Sequence, residues 1–210
     1  MFITFEGIDG SGKSTQVRRL AAWLREQERA VETMRDPGGT HVAEQVRTLL
    51  LDAKATLSDR AELFLFAAAR AQLVEERIRP ALKQGRTVLC DRFYDSTTAY
   101  QGGGRRVVPL DWMKRLHEQT TGGLVPDRTY LIDVPVGQAV TRRHTQVKDR
   151  MERESQRFYE QVRKAYQRLA ASEPERICQV DGTGSPAQVH AAIRTDLQAH
   201  CPSLNVGTPS

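Results

Sequence analysis

Met1-Phe2-Ile3-Thr4-Phe5-Glu6-Gly7-Ile8-Asp9-Gly10-Ser11-Gly12-Lys13-Ser14 opens the chain. Residues 2–6 form a short β-branched and aromatic run that reads as a strand. Residues 7–14 spell a complete G-x-x-x-x-G-K-[ST] loop. Val17, Leu20, Ala21 and Leu24 then recur at helical spacing. Strand, loop and helix in that order give the motif its mechanical meaning. Glycines let backbone N–H groups converge on phosphate oxygens, and the helix turns its positive end toward the same anion. Lys13 is placed to bridge the β- and γ-phosphates, and the Ser14 hydroxyl to hold Mg²⁺. The stretch predicts a nucleoside triphosphate site made of Gly7, Ile8, Asp9, Gly10, Ser11, Gly12, Lys13, Ser14 and Thr15.

Outward from this loop, strand-like runs recur at Val31–Met34, Thr87–Cys90, Thr129–Ile132 and Ile177–Val180, with helical stretches between them. Such alternation predicts an α/β fold with a five-stranded parallel sheet, helices on both faces, and sites at the carboxyl ends of the strands. A long helix is expected from about Asp59 to Gln84, opening on Asp59 and Glu62 in capping-box spacing and kinked at Pro80. The last helix starts at Ser185-Pro186-Ala187-Gln188, a cap followed by Pro at the first helical position. Residues 1–199 read as one domain, and 200–210 as a disordered tail.

The 210 residues carry a net charge of +5, with a pI near 9.3. The arginines are scattered, with clusters at Arg105-Arg106 and from Arg142 to Arg163, and form no single basic tail. That distribution favours phosphorylated small molecules over nucleic acid as partners. No apolar run approaches the roughly 18 residues of a membrane span, and the first residues do not resemble a secretory signal. Cys90, Cys178 and Cys201 are far apart and odd in number, as expected of reduced thiols in a cytoplasmic protein.

A second constellation follows the third strand, at Asp91-Arg92-Phe93-Tyr94-Asp95-Ser96-Thr97-Thr98-Ala99-Tyr100-Gln101. An acid at the end of a buried strand beside a phosphate loop suits Mg²⁺, making Ser14 and Asp91 the candidate metal residues. The planar fork of Arg92 suits a phosphoryl group. Phe66 and Arg70 share a helix face; their pattern taken alone favours Phe66 in the core and Arg70 snorkelling over a ligand wall.

Phe5 to Gln16, Arg35-Asp36-Pro37-Gly38-Gly39-Thr40, Asp91-Arg92 with Ser96 to Gln101, Leu131-Ile132-Asp133-Val134-Pro135 and Asp149-Arg150-Met151-Glu152 occur in order along residues 2–199. Jointly they resemble the thymidylate kinases of bacterial type. The resemblance implies a P-loop nucleoside monophosphate kinase fold with a short lid, at about 142–154, and transfer of a phosphoryl group from ATP to dTMP with Mg²⁺. It implies a dTMP pocket of Asp9, Asp36, Phe66, Arg70, Arg92, Ser96, Thr97, Tyr100 and Gln101, in which Phe66 stacks on thymine and Arg70 meets its carbonyl edge. Asp36 stands where the family usually has Glu. Arg47 fits a phosphate contact or an exposed helix position equally. The Gly182-Thr183-Gly184-Ser185 loop resembles the rest for the ATP base, and a homodimer is the expected assembly.

In these kinases an arginine for the transferring phosphoryl group comes from the phosphate loop or from the lid. Ile8, Asp9, Gly10 and Ser11 include no basic residue, which points to the lid and to Arg150, then Arg143. With Lys13 and Arg92 these complete the expected catalytic set. A GTP-dependent switch is excluded because guanine reading by N-K-x-D needs an Asn, and the sole Asn is Asn205. A nucleic-acid-binding ATPase has only the basic pI in its favour, and another small-molecule kinase is disfavoured by Phe66, Arg70, Tyr100 and Gln101.

Overall fold

A computed structural model describes residues 1–143 and 154–201, with the side chain of residue 143 left out. The first element, β1 (Phe2–Glu6), leads through the glycine-rich loop into α1 (Lys13–Glu26). β2 (Val31–Arg35) and α2 (His41–Leu51) follow, then α3 (Asp59–Leu73), a π-helical turn at Val74–Ile78 and α4 (Arg79–Lys83). β3 (Thr87–Asp91) passes into α5 (Tyr94–Thr97), a π-helical stretch at Thr98–Gly104 and α6 (Leu110–Thr121). The chain closes with β4 (Arg128–Asp133), α7 (Val136–Arg143), α8 (Gln156–Ser172), β5 (Ile177–Asp181) and α9 (Pro186–His200).

The strands form one five-stranded sheet in the order β2-β3-β1-β4-β5, every pair parallel. Period-two alternation divides the core. Ile3, Phe5, Leu89, Tyr130, Ile132 and Val180 face α1 and α9, where Val17, Leu20, Leu24, Val189, Ile193 and Leu197 cover them. On the other face, Phe2, Val88 and Cys90 meet Leu73, Val74, Ile78 and Ala81, while Leu131 and Ile177 meet Phe158, Tyr159, Val162 and Tyr166 of α8. Near-continuous burial of β1, β3 and β4 follows from having helices on both sides. The connection from β1 runs past β3 to the sheet edge, whereas β3 connects across β1 to β4. The chain therefore changes direction between β1 and β3, and the crevice at their carboxyl ends is where open α/β sheets bind ligands.

Two expectations need refining. The helix expected from about Asp59 to Gln84 is present, running unbroken from Asp59 to Lys83, but it widens into a π-helical turn at Val74–Ile78, just before Pro80. Pro80 has no N–H and would crowd the carbonyl four residues earlier; a wide turn immediately upstream, closed by Arg79 N–H donating to Val74 O, accommodates both defects. The helix starts at Asp59 as expected, but its cap is the residue before: Ser58 Oγ accepts from Ala61 N–H at 3.3 Å. Glu62 is thereby freed from capping and points inward. The cap at Ser185 with Gln188 is present as read, with both reciprocal bonds of a capping box. Among the described residues no helix is long and apolar enough to cross a membrane, and the three cysteines are free, with Cys90 buried.

Candidate active site

The loop after β1 curls back on itself through left-handed and otherwise glycine-favouring backbone. Gly7 has φ 138°, and a Cβ there would lie 2.5 Å from the Ile132 carbonyl oxygen and 2.8 Å from Ser11 Oγ, so no side chain fits. Lys13 Nζ closes the curl from within, donating to the carbonyls of Gly7 at 3.0 Å and Ile8 at 2.9 Å. Gly7 and Ile8, expected at the triphosphate, thus act through these carbonyls. Burial, then the neighbouring Arg92 guanidinium, bring the Lys13 ammonium down to about 8. Gly10, Ser11, Gly12, Lys13, Ser14, Thr15 and Gln16 line an open cavity together with Asp91, Arg142, Gly182, Gly184 and Pro186. Arg142 straddles its rim, donating to the carbonyls of Ser11 at 3.4 Å and Gly182 at 3.0 Å.

At the end of β3 the two members of Asp91-Arg92 part company. The Ser14 hydroxyl donates to Asp91 Oδ2 across the loop. Arg92 adopts φ 71°, a conformation uncommon for a residue with a Cβ and often associated with function. Its side chain is held from every side. Nη1 donates to the Gly7 carbonyl at 3.1 Å, Ser96 Oγ at 3.0 Å and Tyr166 Oη at 3.3 Å. Nη2 donates to Asp9 Oδ1 at 2.5 Å and Tyr100 Oη at 3.3 Å, with the guanidinium 5.1 Å from the Tyr100 ring centre. Burial alone would raise the Asp9 carboxyl, but Arg92 and Lys13 hold it well below the usual carboxylate range. Asp9 also accepts from the Tyr100 hydroxyl at 3.0 Å and the Tyr159 hydroxyl at 3.4 Å.

Asp9, Arg92, Ser96, Thr97, Tyr100 and Gln101 line a second cavity with Asp36, Pro37, Arg47, Leu51, Phe66 and Arg70. Every residue expected on the acceptor side is brought to this one cavity. Arg70 and Asp36 are fully buried and paired, Nε to Oδ2 at 2.6 Å. Arg70 Nη2 donates to Thr97 Oγ1 at 2.7 Å. One polar atom on each, Arg70 Nη1 and Asp36 Oδ1, is buried without a partner, and such orphans are costly unless something fills the space beside them. Burial raises the Asp36 carboxyl and the Arg70 charge opposes the rise. Arg47 Nη1 donates to the Pro37 carbonyl at 3.0 Å, and Arg47 lines both cavities.

Several residues at the site carried no signal in the sequence reading. Glu6, at the end of β1, accepts from Phe93 N–H at 2.7 Å, Ser96 Oγ at 2.6 Å and Tyr166 Oη at 2.8 Å. Burial, then the charge of Asp95, push its carboxyl up. Tyr159 and Tyr166 come from α8, far along the chain; their seven-residue spacing on a helix face was the one local hint. Arg150 and the Arg143 side chain lie outside the described residues.

Two cavities with a common wall containing Arg92, one built on a phosphate loop, suit direct phosphoryl transfer between two bound molecules, and the class is that of the nucleoside monophosphate kinases. A family model described as thymidylate kinase matches residues 5–193. Curated thymidylate kinases similar to this chain include that of Symbiobacterium thermophilum, 46% identical over 197 residues and covering 92% of this chain and 91% of the relative. That of Chlorobium luteolum is 44% identical over 203 residues, covering 92% and 94%. A solved thymidylate kinase from Ehrlichia chaffeensis superposes with a TM-score of 0.77 at 36% identity, covering 94% of this chain and 98% of that one. The chain belongs to the thymidylate kinase family.

Proposed function

We propose that this protein transfers the γ-phosphoryl group of ATP to dTMP, giving ADP and dTDP, with the phosphate-loop cavity holding ATP and the Phe66–Arg70 cavity holding dTMP. The observation that carries this reading is the shared wall: Asp9, Asp36, Arg47 and Arg92 line both cavities. An acceptor phosphate seated against that wall lies next to the γ-phosphate. The acceptor is a phosphomonoester, with a second pKa near about 6, and is largely dianionic at neutral pH. No general base is needed. Lys13 and Arg92 neutralise and align the phosphates, and Arg150 or Arg143 supplies the remaining charge.

The donor set fits Mg²⁺, which favours one or two carboxylates alongside water and phosphate oxygens. Ser14 and Asp91, already hydrogen-bonded, would hold it. Such an ion, when bound, neutralises charge developing on the β- and γ-phosphoryl oxygens. Phe66 supplies a ring for thymine, and the Tyr100 ring beside Arg92 closes the sugar side, disfavouring a ribose 2′-hydroxyl. Arg142 with Gly182 and Gly184 forms the resting place of the ATP base. Residues 1–199 act as one catalytic unit in the cytoplasm, without nucleic acid or membrane, and pair as a homodimer. The exposed apolar side chains Val42 and Leu49 of α2 and Phe64 of α3 are its candidate surface, and sedimentation equilibrium tests that assembly.

A coupled ADP-release assay across the natural nucleoside monophosphates tests the activity. The expected result is turnover with dTMP well above that with dCMP, dAMP or dGMP. ATP consumption independent of dTMP, together with salt-dependent binding to DNA, would overturn the reading.

A further inference from the structure

Glu62, Phe66 and Arg70 fall at intervals of four along α3 and so lie on one face of it. Phe66 and Arg70 line the acceptor cavity. Glu62 is fully buried behind them, an unusual place for a carboxylate that the proposed chemistry does not use. Its Oε1 accepts from Gln101 Nε2 at 2.9 Å and from Arg105 Nε at 2.8 Å, and its Oε2 accepts from Arg105 Nη2 at 3.3 Å. Arg105 is fixed in turn by Glu154 at 2.8 Å and by the Phe158 ring, 5.3 Å from its guanidinium carbon.

A carboxylate clamped by a guanidinium can only accept hydrogen bonds. The edge of the Gln101 amide that meets Glu62 must therefore be its NH₂ group, and the carbonyl Oε1 must turn the other way. Gln101 lines the acceptor cavity, where Arg70 Nη1 is an unpartnered donor. The wall thus offers one donor and one acceptor. A pyrimidine with a carbonyl at C4 and N–H at N3 complements that pair. Cytosine reverses both groups, setting an amine against the guanidinium and an unprotonated nitrogen against a carbonyl oxygen.

We propose that Glu62, clamped by Arg105, is a positioning residue that fixes which edge of the Gln101 amide faces the base, and so selects dTMP over dCMP. This rests on the reading of the Phe66–Arg70 cavity as the acceptor site. Glu62→Gln can donate as well as accept, which lets the Gln101 amide turn over. Glu62→Asp keeps the charge beside Arg105 but withdraws it from the amide by one methylene.

The test compares kcat/KM for dTMP and dCMP in the wild type, in both Glu62 variants, in Gln101→Leu and in Glu62→Gln/Gln101→Leu. The ratio of the two values on one preparation is independent of the fraction of protein that is folded. The dTMP/dCMP ratio is expected to fall at least about tenfold in each Glu62 variant, the worth of one well-aligned hydrogen bond, with KM for ATP unchanged. It is expected to fall in Gln101→Leu, and no further in the double variant. An unchanged ratio in Glu62→Asp or Glu62→Gln overturns the proposal, as does a further fall in the double variant. A purely structural Glu62 would depress both substrates alike. If the wild type itself fails to use dTMP, the acceptor-site reading is what has failed.

Discussion

Asp36→Asn, Arg70→Met and the two together are expected to unfold at markedly different denaturant concentrations. The buried pair joins β2's carboxyl end to α3, with both side chains almost wholly removed from water. Asn keeps the shape of Asp36 but removes the charge, leaving a guanidinium that cannot lose its proton in a dry site. Breaking such a pair from one side costs about 3–5 kcal/mol, and the bond from Arg70 Nη2 to Thr97 places the loss toward the lower figure. At about 2–4 °C per kcal/mol for a chain of this size, Asp36→Asn melts about 6–12 °C below the wild type. Arg70→Met strands Asp36 instead, but burial already raises that carboxyl, so it takes up a proton and the loss is smaller. The double variant removes both charges and recovers to within about 1–2 kcal/mol of the wild type. Urea unfolding at neutral pH, with midpoints and slopes for all four proteins, measures the coupling directly. Additive single losses, or an Arg70→Met protein less stable than Asp36→Asn, would refute the reasoning.

Lys13→Ala is expected to lower kcat severely while the circular dichroism of the fold is retained; a pure rise in KM for ATP would contradict its place beside the transferring group. Because Lys13 sits near about 8 when folded and at 10.5 as a free side chain, the unfolded chain binds the extra proton between those values. Stability therefore gains a contribution as pH rises from about 8 toward 10.5 and loses it as pH falls through about 8. Urea midpoints across that range should show this slope in the wild type and not in Lys13→Met. Tyr166→Phe removes a hydroxyl shared by Arg92, Ser96 and Glu6, and a loss of about tenfold in kcat with little change in KM for ATP is expected for one such contact; unchanged turnover would show that the other Arg92 contacts suffice. Arg150→Ala is expected to act on kcat, and full activity in steady-state assays would move the role to Arg143.

The parts of the fold set by local chemistry were readable before any coordinates. The phosphate loop announces itself because its glycines, Lys13 and Ser14 all fall within residues 7–14, and the Ser185–Gln188 cap because its partners are three residues apart. The sheet followed from strands alternating with helical periods. The residues proposed for the acceptor were reachable only through family likeness, since Phe66 and Arg70 look like core positions to any periodicity argument. What stayed hidden depends on contacts across long stretches of chain: Tyr166 against Glu6, Arg105 against Glu62, and the Asp36–Arg70 pair. Nothing local to Glu62 shows that it turns inward, and its place near the helix start made capping the natural reading. Ser58 had already taken that role. The π-helical turns escaped for a related reason, because their extra residue is tolerated by what surrounds it and leaves no signature in the sequence.

The common wall of the two cavities also sets how this enzyme can change. Phe66, Thr97 and Gln101 line only the cavity proposed for the acceptor, so on that proposal the preferred base can drift, or be re-engineered, without disturbing how the triphosphate is held. Asp9, Asp36, Arg47 and Arg92 have no such freedom. With the two cavities holding the molecules proposed above, a substitution at any of them is felt by donor and acceptor together, and one molecule that spans both cavities would meet resistance mutations there only at the expense of turnover.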